Sequence, residues 1–138
     1  MFSSDGYRVY FEDFTARHFI KNFEKKYKGS WLTTRKAIVS QLRNVDMLIN
    51  SGRIKPPIHM TDDRSEWIIK YGFAIAGLRE SPKNSGRRII AYVNDKKKVV
   101  RILLVYHKGH LGKGAGETNG WKRIVRLEYK ELLRNFNF

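Results

Sequence analysis

Arginine, lysine, histidine and tyrosine side chains are concentrated between residues 79 and 113. Arg79 and Arg88 flank apolar, strand-like runs, and Tyr106, His107 and Lys108 follow one another at the end of a third run. Arginine binds phosphate through paired hydrogen bonds, lysine adds a point charge, and histidine accepts or donates a proton near neutral pH. Clustered like charges repel one another, so stability alone does not explain the arrangement. The residue types point to binding of a phosphodiester with proton transfer beside it.

Cleavage of RNA without a metal ion requires a base for the 2′-hydroxyl, cations for the crowded phosphorane and an acid for the 5′ leaving oxygen. DNA lacks the 2′-hydroxyl, so this chemistry would be restricted to RNA. His107 or His110 could transfer the protons, and the sequence leaves open which of them does so. The candidate catalytic residues are Arg79, Arg88, Tyr106, His107 and Lys108, and the candidate substrate contacts are Arg87, Arg101, His110 and Lys113.

The overall charge agrees with a polyanionic partner. The 138 residues include 28 Lys and Arg against 13 Asp and Glu, a formal net charge of +15. Such an excess destabilises a compact fold by self-repulsion unless nucleic acid or an acidic protein offsets it. Most basic residues on helices are nevertheless solvated, and Arg88 and Arg101 could be ordinary strand residues.

Other chemistries have weak support in the sequence. The absence of cysteine excludes disulfides and thiolate metal sites. Asp62, Asp63 and Glu66 form an acidic group in a loop, which is more typical of a solvated linker than of a metal site, so no metal or cofactor is expected. The glycine-rich loop around Lys113 does not fit the P-loop pattern, because Gly114 follows the lysine.

Membrane insertion and secretion are not indicated either. No apolar run approaches the roughly 20 residues of a membrane span, and the first residues lack the pattern of a signal peptide. We expect a cytoplasmic protein.

The hydrophobic periodicity predicts one α+β domain over residues 1–138, in the order β-α-α-β-β-β-α, with a small antiparallel sheet that has a mixed edge and helices packed on it. Residues 7–11 are strand-like. A first helix carries Phe19, Phe23 and Tyr27, and a second carries apolar residues from Ile38 to Ile49. An extended loop follows at residues 53–66, then strand-like residues 67–71 and 73–76, with Gly72 as a bulge or a turn between two short strands. A C-terminal helix is predicted over residues 118–136.

The clearest local signal is a β-hairpin formed by residues 88–93 and 99–106. A four-residue turn at 95–98 sets Arg88 opposite Val105 and diagonal to His107, close enough for long side chains to share one phosphate. In this register Arg101, Leu103, Val105 and His107 lie on one face of the second strand. A slip by one residue would separate the arginine from the histidine.

The element order and three segments, FAIAGLR, GRRIIAYVND and VVRILLVYHK, resemble the RelE/ParE superfamily of type II toxins over residues 7–129. In this resemblance Arg79 matches an arginine that closes the second strand, Arg88 approximates the next arginine, and Tyr106, His107 and Lys108 match the cluster at the strand end.

The resemblance implies a toxin neutralised by a cognate antitoxin through an acidic segment. In the ribonuclease branch such residues cleave mRNA, usually on the ribosome and without a metal, and this is the expected function. A toxin that poisons DNA gyrase, and a non-catalytic basic module that binds RNA or the ribosome, are the alternatives. The chain is longer than typical members, and Arg87 stands where they have an aromatic residue.

Overall fold

The computed structural model describes residues 6–111 and 115–137, and its centre is a five-stranded sheet. The strands are β1 (Arg8–Phe11), β2 (His59–Met60), β3 (Glu66–Gly72), β4 (Arg87–Asn94) and β5 (Val99–His107), in the spatial order β1-β5-β4-β3-β2. β1 is parallel to β5, and the other pairs are antiparallel. The predicted α+β class and the mixed edge of the sheet are therefore confirmed. The predicted order was wrong at one point, because β2 is a strand within the expected loop at residues 53–66.

Four helices surround the sheet. The first, α1, is continuous but changes geometry, from α-helix (Asp13–Thr15) through π-helix (Ala16–Ile20) back to α-helix (Lys21–Lys26). The others are α2 (Ser30–Leu42), α3 (Val45–Asn50) and α4 (Ala115–Glu128). Among the described residues no helix is both long enough and apolar enough to cross a membrane.

The single second helix predicted from the apolar periodicity is divided into α2 and α3. The break falls at Arg43 and Asn44, and the backbone leaves helical geometry at Asn44. The carbonyl of Arg43 accepts a hydrogen bond from the backbone N–H of Tyr7 at 2.9 Å, so it is used to attach the segment before β1. The helix therefore ends at a contact with a residue distant in sequence, although the apolar periodicity continues to Ile49.

Two further predicted boundaries were wrong. Residues 73–76 form no second short strand: β3 ends at Gly72, where a Cβ would stand 2.9 Å from the carbonyl oxygen of Pro82. The C-terminal helix ends at Glu128, and turns follow it. Leu133 and Phe136 in those turns are still buried, so the predicted apolar face is continued by irregular chain.

The sheet is covered on both faces. One core lies between the sheet and α1–α3, and the other lies between the sheet and α4 with the C-terminal turns. The first includes Ile38, Leu42, Ile69, Ile89, Ala91 and Val105. The second includes Ile90, Leu103, Leu104, Tyr106, Trp121 and Val125. Two buried faces explain why β4 and β5 are apolar along almost their whole length instead of alternating.

A β-bulge at Leu103 changes the register of the predicted hairpin. Near the turn the pairing is as predicted, with Asn94 opposite Val99 and Ala91 opposite Ile102. Ile90 then pairs with Leu104, so Leu103 is an extra residue, and every later pair is shifted by one.

Side chains from both layers stabilise this bulge. The hydroxyl of Tyr129 donates to the carbonyl of Leu103 at 2.7 Å, and the N–H of Val105 donates to Oγ1 of Thr15 at 3.1 Å. The carbonyl of Leu103 and the N–H of Val105 are thus hydrogen-bonded to side chains where the regular strand pairing is interrupted. The expectation that Arg101, Leu103, Val105 and His107 share one face was therefore wrong: the first two face α4, and the last two face α1–α3.

Candidate active site

The start of β4 and the end of β5 meet at one end of the sheet, where most of the predicted site residues lie. Arg87 is opposite His107, and Arg88 is opposite Tyr106. Because side chains alternate along a strand, the first pair faces α1–α3 and the second pair faces α4. The predicted diagonal between Arg88 and His107 was therefore wrong, and Arg87 is the arginine that shares a face with the histidine.

His107 ends β5, and its imidazole is partly exposed. The backbone N–H of Gly109 donates to Nδ1 at 3.1 Å, so the neutral ring carries its proton on Nε2. The ring lies against Gly86, where a Cβ would stand 2.7 Å from Nε2. Gly86 has a φ of +77°, which favours glycine, so both the space and the backbone at this position suit only glycine.

The surroundings of His107 favour its neutral form. Burial is the largest cause that lowers the pKa of His107 below its ordinary value of 6.5, and the positive charges of His110, Arg87, Lys26 and Lys108 lower it further. The rings of His107 and His110 are 5.7 Å apart between centroids. Two imidazoles, one of them held neutral among cations, thus lie side by side at the sheet end.

Arg87 is buried beneath this surface, with a relative exposure of 8%. Its Nη1 donates to both carboxylate oxygens of Glu80 at 2.5 Å. Its Nη2 donates to the hydroxyl of Tyr27, and the guanidinium lies 5.0 Å from the centroid of the Tyr27 ring. Arg87, predicted to contact substrate, is therefore occupied by protein groups in this conformation.

Arg88, on the opposite face, holds the loop between β3 and β4. Its guanidinium donates to the carbonyls of Pro82 at 3.2 Å, Lys83 at 3.0 Å and Arg87 at 2.9 Å. Three backbone acceptors fix the side chain and the loop together. This geometry suits a scaffolding role better than the direct phosphate contact predicted for Arg88.

Tyr106 is likewise directed into the protein, with a relative exposure of 1%. Its hydroxyl donates to Oε2 of Glu117 at 2.6 Å, and Lys70 donates to both oxygens of the same carboxylate at 2.7 and 2.9 Å. Burial and the Glu117 carboxylate both raise the pKa of the Tyr106 phenol. Tyr106 was a candidate catalytic residue, but in this conformation it is too deeply buried to contact RNA.

Replacing Glu117 with glutamine is expected to lower the free energy of unfolding by about 1–3 kcal/mol at pH 7, because Lys70 loses its charged partner in a mostly buried position. Burial opposes the charge on Glu117, but the hydrogen bonds from Lys70 and Tyr106 outweigh it and hold the pKa of Glu117 below its ordinary value of 4.5. Since the folded pKa is lowered, this stabilisation is present above pH 4.5 and is lost as the pH falls through the folded pKa. Urea unfolding at several pH values measures it.

The exposed residue Glu131 offers a matched control for this experiment. Glu131→Gln removes the same charge from the surface, and we expect a change of no more than about 0.5 kcal/mol. A difference between wild type and Glu117→Gln that stayed constant from pH 7 to acid pH would contradict the role given to the carboxylate.

The remaining predicted residues are divided between this end and other regions. Lys108 and His110 directly follow β5 and are exposed, and Arg79 is exposed in the loop between β3 and β4. Arg101 lies in the other half of β5, where it pairs with Glu12 at 3.3 Å and lines a groove of about 660 Å³ beside β1. The structure therefore does not bring Arg101 to His107. Lys113 lies outside the described residues.

Three side chains near His107 and Arg87 were missed by sequence reasoning. Tyr27 was assigned to the apolar stripe of the first helix, and Lys26 and Glu80 were not considered. Glu80 did carry a signal, because it is the only acidic residue between Glu66 and Asp95. Among the described residues no group of three or more His, Cys, Asp or Glu side chains could hold a metal ion.

No protein-family model, curated protein or solved structure matches the chain. The RelE/ParE resemblance therefore rests on the sequence motifs alone.

Proposed function

We propose that this protein is the toxin of a type II toxin–antitoxin system and that it cleaves mRNA at the surface around His107, without a metal ion. The observation that supports this proposal most directly is the pair of imidazoles, His107 and His110, 5.7 Å apart among exposed cations. RNA cleavage needs one proton acceptor and one proton donor close to a positively charged phosphate site.

In the proposed reaction His107 is the proton acceptor. In the free protein Nδ1 accepts a hydrogen bond from the N–H of Gly109, and in the substrate complex the 2′-hydroxyl replaces Gly109 as the donor. The hydroxyl proton moves to Nδ1, the 2′ oxygen attacks phosphorus, and the bond from phosphorus to the 5′ oxygen breaks. His110 donates a proton to the leaving 5′ oxygen, and a 2′,3′-cyclic phosphate remains.

Exposed cations stabilise the negative charge that develops on the phosphorane. Lys26 and Lys108 are close enough to lower the pKa of His107, so they are well situated to act on a phosphate bound beside it. Arg79 lies in the exposed segment next to Glu80 and adds a third positive charge. Arg88 and Tyr106 support the loop and strand that carry these groups.

The partners follow from the same charges. The net charge of +15 favours binding of mRNA and of the ribosome, with an affinity that falls steeply with salt. A toxin of this kind requires neutralisation in the cytoplasm, and an acidic segment of a cognate antitoxin complements the basic surface.

A cleavage assay with purified protein tests the proposal. In one assay a defined mRNA is translated in an extract without EDTA, and its cleavage sites are mapped by primer extension. In a second assay free RNA is incubated with the protein in the presence of EDTA. EDTA is kept out of the first assay because it would dismantle the ribosomes. Discrete cuts on free RNA in EDTA support a ribonuclease that needs neither a metal ion nor the ribosome. Discrete cuts that appear only on translated mRNA support a ribosome-dependent ribonuclease. Salt-sensitive RNA binding without cuts supports the binding module instead, and inhibition of DNA gyrase supports the gyrase-directed toxin.

The pH dependence of cleavage is expected to show an acid limb below pH 6.5. His107 must be neutral to accept a proton, and its pKa is lowered from the ordinary value of 6.5, so activity is retained to lower pH than an unperturbed histidine would allow. Measurement of kcat/KM against pH gives the limb, and an NMR titration of the His107 ring assigns it. A limb centred above pH 6.5 would contradict the assignment of His107 as the base.

A further inference from the structure

The two edges of the sheet differ in how well they are protected against further pairing. β2 consists of His59 and Met60 alone, and two prolines, Pro56 and Pro57, lie shortly before it. Very short strands and prolines are common ways to keep a sheet edge from pairing. β1 is longer, and its β-branched and aromatic residues favour a strand. The edge formed by β1 is therefore the one that is open to another strand.

Alternation along β1 decides which backbone groups point to the open edge. The N–H groups of Arg8 and Glu12 donate at 2.9 and 3.0 Å to carbonyls in β5 and in the turn before it. In the described part of the chain β5 is the only strand that neighbours β1. Val9 and Phe11 therefore direct their N–H and C=O groups away from the sheet.

The charges beside β1 are balanced, although the molecule as a whole is strongly basic. A groove of about 660 Å³ runs along this edge, and its charged lining consists of Arg8, Lys97, Arg101, Glu12, Asp13 and Glu128. The whole chain carries 28 Lys and Arg against 13 Asp and Glu. A nucleic acid gains little from a groove of mixed charge, whereas a second copy of the same surface can place opposite charges together.

We propose that β1 pairs antiparallel with β1 of a second copy of this chain, about a two-fold axis that passes through Tyr10. In this register Val9 lies opposite Phe11 of the second copy, and their outward backbone groups exchange hydrogen bonds. Arg8 lies opposite Glu12 of the second copy. Because the interface is isologous, the two-fold axis repeats each of these contacts.

The charges select this register over its neighbours. A pairing centred on Val9 would also join the outward backbone groups, but it would set Arg8 opposite Tyr10 and leave Glu12 unmatched. With the axis at Tyr10, Arg8 and Glu12 form a non-hydrogen-bonded pair, in which opposite side chains approach most closely. Glu12 already accepts from Arg101 at 3.3 Å, and a carboxylate has capacity for a further donor.

The same register brings exposed aromatic surface together. Tyr10 is 44% exposed, and it would meet its equivalent across the axis on the face that carries Arg8. The pairing also leaves the surface around His107 open. β1 runs parallel to β5, which ends at His107, and the two copies run in opposite directions. The two surfaces therefore lie at opposite ends of the joined sheet.

Sedimentation equilibrium over a range of protein concentrations tests the pairing and requires no activity or ligand. Two chains that each carry a net charge of +15 repel one another, and salt of about 0.3 M screens this repulsion beyond a few ångströms. The wild type is expected to form a dimer as its concentration rises. A protein that stays monomeric to submillimolar concentration would overturn the proposal and would leave the edge to an extended segment of another protein.

Two variants test the backbone pairing and the charge pairing separately. Val9→Pro removes an outward N–H and none of the hydrogen bonds to β5, so it should abolish the dimer. Arg8→Glu sets like charges opposite each other twice in each dimer, and the Kd should rise by about tenfold or more. Urea unfolding shows whether each variant is folded.

Arg53→Glu is the matched control for Arg8→Glu. Arg53 is exposed and lies near Tyr71 of β3, on the far side of the sheet from β1. It makes the same change in net charge, and its Kd should stay within about twofold of the wild type. An equal increase of the Kd in both arginine variants, or a dimer that tolerates Arg8→Glu, would overturn the proposal.

A mixture of two variants tests the antiparallel register and does not depend on the folding of Val9→Pro. Arg8→Glu and Glu12→Arg should each dimerise weakly, because like charges then face each other across the axis. Mixed in equal amounts they should form a heterodimer, in which both pairs are again opposite in charge. A mixture that associates no more strongly than the separate variants would refute the pairing of Arg8 with Glu12.

Discussion

Replacing His107 with alanine is expected to lower the rate of RNA cleavage by about 10²–10⁴-fold, the usual contribution of a general base. The surroundings of His107 favour its neutral form, and in the proposed reaction its Nδ1 exchanges the N–H of Gly109 for the 2′-hydroxyl of the substrate. Binding of RNA should change little, because Lys26 and Lys108 provide the positive charge. Primer extension on cleaved mRNA measures the rate. Fluorescence anisotropy with a single-stranded DNA oligonucleotide, which lacks the 2′-hydroxyl and is not cleaved, measures binding.

His18→Ala is the matched control for this variant. His18 is an exposed histidine on α1 that takes no part in the proposed reaction, so its removal should leave cleavage within about twofold of the wild type. Equal cleavage rates in His107→Ala and His18→Ala would remove His107 from the mechanism.

Replacing Gly86 with alanine is expected to lower cleavage by about 10²-fold or more, since displacement of a catalytic group by about 1 Å can cost that much. A Cβ at this position would stand 2.7 Å from Nε2 and 3.1 Å from Cε1 of His107, so the ring must move. The positive φ of Gly86 adds a loss of about 1–2 kcal/mol in stability, because alanine is strained in this region. Cleavage rates and urea unfolding give the two effects separately.

Gly77→Ala separates the steric effect from the backbone effect. Gly77 has a φ of +86°, and no atom lies within 4 Å of the Cβ that alanine would add. This variant should therefore lose a similar amount of stability while it keeps cleavage close to that of the wild type. Similar losses of cleavage in both glycine variants would show that strain, and not the position of the His107 ring, limits activity.

The strands and turn of the hairpin could be predicted because their signals are local. Residues 94–98 define the turn, and the apolar runs on both sides of it define β4 and β5. The bulge at Leu103 could not be predicted in the same way. Its backbone groups are stabilised by Tyr129 and Thr15, which lie at opposite ends of the chain, and nothing within β5 distinguishes Leu103 from its apolar neighbours.

The same limit applies to the candidate site. Sequence reasoning brought His107, His110, Lys108 and Arg79 to one end of the sheet, because each lies next to the end of a strand-like run. It chose Arg88 over Arg87, because the one-residue shift at the bulge decides which arginine faces His107.

The interactions that fix the remaining groups are also distant in sequence. Tyr27 and Arg87 are 60 residues apart, and Lys70 and Glu117 are 47 residues apart. No periodicity or spacing links such positions, so contacts of this kind became visible only in the folded protein.

The parallel pairing of β1 with β5 has a consequence for biosynthesis. The first strand cannot take its place in the sheet until the last strand has emerged from the ribosome, since its pairing partner in the sheet is β5. Pairing between such distant segments is slow compared with the formation of local helices and hairpins. His107 ends that last strand, so a nascent chain carries no assembled site until β5 has emerged. Until then a chain with the proposed activity would not itself cleave the message from which it is being translated.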